Sequence, residues 1–217
     1  MQPSPMSLLS DGPAVRLLDI AVAAQESGGQ LSLDEELQRY VRLVRSDWIA
    51  TWNCSVHAAA GVLEFAAESV DRAGGLAPFP PRFREVAARA AGDMEPADYL
   101  RTLAELVRIL ERQGIPEYSE LPMGGQEFLQ TFPYLFGFDA ILMDEGDRPF
   151  TEIVRSMLTN EHPYCHERAA AYSTEAQRAL SLFPGPDALR PRLSWADRDR
   201  LRELIDTVND HMQREHS

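Results

Sequence analysis

The densest run of chemically versatile side chains in this 217-residue chain is Asn160-Glu161-His162-Pro163-Tyr164-Cys165-His166-Glu167-Arg168, which holds two of the five histidines and one of the two cysteines. Imidazole and thiolate are the donors that borderline divalent ions such as zinc prefer. In a helix, positions three or four apart share a face, so His162 can share a target with Cys165 or with His166. A second short stretch, Cys54-Ser55-Val56-His57, repeats the same chemistry more than a hundred residues earlier.

Two selections from these stretches would hold a metal. Cys54, His57, His162 and Cys165 would offer a Cys₂His₂ tetrahedron. His57, His162 and His166 would offer three imidazoles and leave a coordination position free for water or substrate, as a catalytic ion requires. The second selection is the stronger, because both cysteines read as core. Cys165 continues the apolar stripe Ala169, Tyr172, Ala176, Ala179 and Phe183, and Cys54 faces the second apolar side of its own helix. Glu64 and Glu161 then stand as orienting partner or general base. The same nonapeptide also reads without a metal as a helix start: Pro163 in the first turn, Asn160 or His162 as cap, and Glu161 at the positive end of the helix dipole. The remaining histidines, His211 and His216, fall near the end of the last predicted helix, where fraying is the default.

The elements that must position these residues are helices. Apolar residues recur at spacings of three and four, most clearly at Tyr99, Leu100, Leu103, Leu106, Val107 and Leu110, with Pro96 suited to a first turn and Gly114 to a left-handed C-terminal cap. Ser32 with Glu35, and Ser194 with Asp197, carry capping-box patterns. Helices are predicted near 14–25, 33–45, 48–72, 82–91, 96–113, 125–145, 149–159, 163–183 and 194–214. The helix over 48–72 is apolar on two sides, through Ile49, Trp52, Val56, Ala59, Leu63, Ala67 and Val70 and through Cys54, Ala58, Val62 and Phe65. It is expected to be largely buried, with one polar line at Asn53, His57, Glu64 and Glu68. No run alternates as a strand would, and no hairpin turn separates alternating segments. The expected fold is all-α: one single-domain helical bundle over 13–217, of roughly seven to nine helices and without significant sheet, behind a loose N-terminus at 1–12.

Composition excludes several functions. Acidic residues outnumber basic ones 34 to 21, a net charge of −13, so neither nucleic acid nor an anionic membrane is an expected partner. No apolar run reaches the roughly 18 residues of a membrane span, and the N-terminus has no basic residue ahead of its apolar patch, as a secretory signal would. Two cysteines make no disulfide framework, so a reducing cytoplasmic setting is expected. All 21 basic residues are arginine. Without lysine there is no Schiff base to pyridoxal phosphate and no P-loop lysine, and the Ala, Arg and Pro abundance points to a bacterial source of high GC content.

Other motifs are absent: HExxH, CxxC, GxSxG, GxGxxG and the Glu-x-x-His pairs of di-iron bundles. A Cys165–His57 nucleophilic pair would place the thiol in an apolar setting that makes it inert. A histidine on an early helix, with Trp48 shortly before it, followed by His162-x-x-x-His166 on a late one resembles the pattern of DinB-type metal-binding four-helix bundles, a family that includes thiol-dependent transferases. The resemblance covers His57, His162 and His166. Glu167 and Arg168 stand where that family continues His-Arg-Gly-Gln, and the middle of the chain has no counterpart.

Two functions fit these observations. The first is a metal-dependent enzyme of small-molecule metabolism: a divalent ion, zinc first, on His57, His162 and His166, and a small apolar or aromatic substrate near Phe128, Phe132, Phe136 and Phe138. The second is a non-catalytic acidic helical protein that binds and regulates or neutralises a basic protein partner.

Overall fold

The computed structural model describes residues 9–46, 48–144, 148–185 and 187–216, with the side chains of 48, 49 and 52 excepted. The described residues contain helices and no strand, as the periodicity requires. They form two compact units, Met1–Gly124 and Gly125–Ser217. Most of the expected loose N-terminus lies outside the described residues, and Leu9, where the description begins, is buried.

The first unit holds α1 (Pro13–Glu26), α2 (Leu33–Ser46), α3 (Trp48–Asn53), α4 (Val56–Ala73), α5 (Pro81–Ala91) and α6 (Pro96–Arg112). The closest pairing is α4 on α6, and it follows from side-chain size: Ala59, Ala60, Ala66 and Ala67 keep the α4 surface shallow, so the Leu100, Leu103 and Val107 face of α6 seats directly against it. Arg42 lies among these helices at 3% exposure. Its guanidinium donates to the carbonyls of Pro116 at 3.1 Å and Leu121 at 2.7 Å and lies 4.2 Å from the Tyr118 ring centroid, so one side chain fixes the loop after α6.

The helix expected over 48–72 is two helices. The chain breaks at Cys54–Ser55 because the Ser55 hydroxyl accepts a hydrogen bond from the Ala58 N–H at 3.2 Å and starts α4 afresh. The apolar stripe Val56, Ala59, Leu63, Ala67 and Val70 is buried as predicted, but the second apolar side is not, and Phe65 is 40% exposed. The left-handed cap expected at Gly114 is found instead at Gly74, which ends α4 with φ 69° while Gly75 donates back to the Val70 carbonyl at 3.0 Å; Gly114 has no positive φ.

The second unit holds α7 (Gly125–Thr131), α8 (Pro133–Asp144), α9 (Phe150–Asn160), α10 (Cys165–Leu182) and α11 (Arg198–Glu215). Pro133 splits the helix expected over 125–145, since a proline lacks the N–H that an interior position must donate. With the break at 54–55, this raises the helix count among the described residues above the expected seven to nine. The start expected at Ser194 moves to Arg198, where the Asp197 carboxylate accepts the Arg200 N–H at 2.9 Å. Helix α10 is the hub, packing on α8, α9 and α11. It runs antiparallel to α11: Arg198 at the start of α11 reaches the Leu180 and Pro184 carbonyls at the end of α10, and His211 near the end of α11 reaches Cys165 at the start of α10.

The aromatic run packs as core. Phe128 and Phe132 meet each other and Phe183, and Phe138 meets Phe150, Tyr172 and Trp195, with centroids 5.0–6.1 Å apart. Phe136 points outward at 48% exposure. No helix among the described residues is long and apolar enough to cross a membrane.

Candidate metal centre

Four side chains of the second unit converge: His162, Cys165, His211 and His216. His162 stands in the turn 161–164, which is set by its own N–H on the Thr159 carbonyl at 3.2 Å and by the Tyr164 N–H on the Glu161 carbonyl at 2.8 Å. Cys165 is the first residue of α10 and fully buried. His211 prolongs the buried stripe Leu201, Leu204 and Val208 of α11 and is 8% exposed. His216 follows the last residue of α11 and is exposed. The antiparallel pairing of α10 with α11 brings the start of one helix to the end of the other, and with it all four donors.

The Cys165 Sγ is the centre of the group. It lies 3.7 Å from His162 Nδ1, 3.3 Å from His211 Nε2 and 3.0 Å from His216 Nε2. All four donor atoms lie within 4.8 Å of one another. Around a tetrahedral zinc, bonds of about 2.3 Å to sulfur and about 2.05 Å to nitrogen set S–N separations of about 3.5 Å and N–N separations of about 3.3 Å. The observed S–N distances bracket that value, while donor separations reach 4.8 Å, so an ion is held once the imidazoles close in around it. One thiolate and three imidazoles suit zinc, cobalt or copper, whereas magnesium and calcium demand oxygen donors. Burial pulls the His211 imidazole below its ordinary value, Glu215 opposes this and the neighbouring His216 and His162 add to it, a shift that favours the neutral form that binds metal.

The three histidines expected as ligands are divided between the units. His57 is the second residue of α4, in the first. The buried environment expected for it is not there: its side chain is 79% exposed and its Nδ1 lies 3.9 Å from a Glu111 carboxylate oxygen, because α4 buries only the Val56–Val70 stripe and leaves the side with Ala58 and Phe65 open. His166 is exposed on α10 and borders a groove of about 260 Å³ with Ser173, Thr174, Gln177 and Asn209; it is not one of the four converging donors.

The two carboxylates expected to act in catalysis are both engaged. Glu64 takes a bidentate hydrogen bond from Arg108, with Nη2 at 2.6 Å, and that bond holds its carboxyl below the ordinary range, which makes it a weak base near neutrality. Glu161 pairs with Arg168.

The helix-start reading of 160–168 is also corrected. Asn160 ends α9, Glu161 is the C-terminal cap of α9 rather than a first-turn acid, and Pro163 sits in the turn before α10. Cys165 is core by burial, as expected, and a potential ligand as well. His211 carried a readable signal, since it extends the α11 stripe at the regular three-four-three spacing. His216, outside the helix, carried none.

Compared with protein-family models, with curated proteins and with solved structures, the chain matches none.

Proposed function

We propose that this chain is a metal-binding protein whose second unit holds one zinc-type divalent ion on His162, Cys165, His211 and His216. The observation that carries the reading is the convergence of three imidazole nitrogens on one buried sulfur, with all donors within 4.8 Å. Four protein donors close the coordination sphere, the arrangement of an ion that fastens a fold. Its ligands come from the α9–α10 turn, the head of α10, the body of α11 and the residue beyond α11, so the bound ion ties both ends of the stretch from His162 to His216.

The reading as a metal-dependent enzyme with His57, His162 and His166 shares only His162 with this site. Metal content of the chain purified without a histidine tag separates the two. The four-donor site predicts one ion per chain, lost in Cys165→Ser and in His211→Ala and kept in His57→Ala. An ion lost in His57→Ala and kept in Cys165→Ser would overturn it in favour of the three-histidine set.

A further inference from the structure

The four donors are not held alike. Cys165 and His211 sit on helices at 0% and 8% exposure. His162 is exposed, but its turn is hydrogen-bonded on both sides, and the neighbouring Glu161 is ion-paired to Arg168. His216 lies past the end of α11; among the described residues its backbone is held by one bond, its N–H to the Met212 carbonyl at 3.2 Å. Its Nε2 is also the donor nearest to the sulfur, at 3.0 Å against the roughly 3.5 Å that a tetrahedral ion sets. The ring must therefore withdraw by about half an ångström on metal uptake. Being outside the helix, it can do so without disturbing any α11 hydrogen bond but its own.

From this contrast we infer that His216 is the exchangeable ligand, and that the position it leaves takes a small monodentate Lewis base: an anion such as azide, or a free imidazole. The inference rests on the metal-binding reading. With His216 in place the ion has four protein donors. With it displaced, Cys165, His162 and His211 form a three-donor platform with one open position, the arrangement that zinc enzymes use to bind water or substrate. The closed and open forms differ by the swing of one side chain at the protein surface.

Cobalt(II), whose visible bands report coordination, is the probe. The wild type is expected to take up one cobalt with a thiolate-to-cobalt charge-transfer band, and its ligand-field bands are expected to shift saturably with azide. His216→Ala is expected to keep the cobalt and the charge-transfer band, and to bind azide at least about tenfold more tightly, because the competing imidazole no longer lowers the population of the open form. Free imidazole is expected to restore the wild-type spectrum in that variant. Wild-type bands that do not move with azide would overturn the proposal, as would equal azide affinities in wild type and His216→Ala. Loss of cobalt in His216→Ala with retention in His162→Ala would overturn it as well. In each of these cases the metal reading stands. No cobalt uptake by the wild type would sink both.

Discussion

Glu175 carries its carboxyl into the interior of the second unit at 8% exposure. Its oxygens accept the N–H groups of Tyr134, at 3.0 and 3.2 Å, and Leu135, at 2.9 Å, so a side chain of α10 caps α8, whose own first residues supply no cap. Burial pushes the carboxyl above its ordinary value of 4.5, against the downward pull of those two N–H groups and of Arg178. A carboxyl that holds its proton more tightly when folded contributes stability that is complete below 4.5 and is lost as pH rises through its raised folded-state value. Urea unfolding at a series of pH values is expected to show this decline in the wild type and a flatter profile in Glu175→Gln, which keeps an acceptor for the α8 amides. Equal slopes in the two proteins would contradict it. Glu175→Ala leaves those amides without a partner and is expected to lower stability by about 1–3 kcal/mol. None of this was legible beforehand, because a glutamate 40 residues away in sequence gives no local sign that it caps another helix. Cys165 shows the complementary limit: its place on an apolar stripe correctly foretold burial, and that same burial hid its role as the centre of a donor cluster.

Local signals decide where the helices start and stop: Pro133 marks the break between α7 and α8, as its missing N–H leads one to expect, and a serine cap explains the break at 54–55 that periodicity missed. The apolar repeat runs on through 54–55, but a serine that can bond the N–H three residues ahead competes with helix continuation, and at Ser55 it wins. Ser55→Ala is expected to destabilise the first unit by about 1 kcal/mol, read as a shift in urea midpoint at constant slope. Gly74→Ala meets no neighbour within 4 Å, so its cost comes from φ 69° alone and is expected at about 1–2 kcal/mol. Most helices lie within a few residues of the spans that apolar spacing and Pro96 predict, because those signals are local. His57, expected as a buried ligand, is exposed because α4 buries one apolar stripe and not the second side on which it borders.

The second unit alone contains the four donors, so metal removal is expected to act unevenly. An ion that binds only the folded form at a thousand times its dissociation constant stabilises by about 4 kcal/mol. Chelation is therefore expected to speed hydrogen exchange in α10 and α11 and leave α4 and α6 unchanged; a uniform response would contradict a site confined to the second unit. The all-α class was readable from composition and period, while the meeting of residues 162, 165, 211 and 216 was not. It depends on the antiparallel packing of α10 on α11, a long-range fact that no spacing of residues encodes.

X-ray absorption at the zinc edge, on the untagged, zinc-loaded chain, tests the metal centre most directly. One sulfur at about 2.3 Å and three nitrogens at about 2.0–2.1 Å are expected, with the sulfur lost in Cys165→Ser. A first shell of nitrogen and oxygen alone in the wild type, or a chain that retains no zinc, would contradict it.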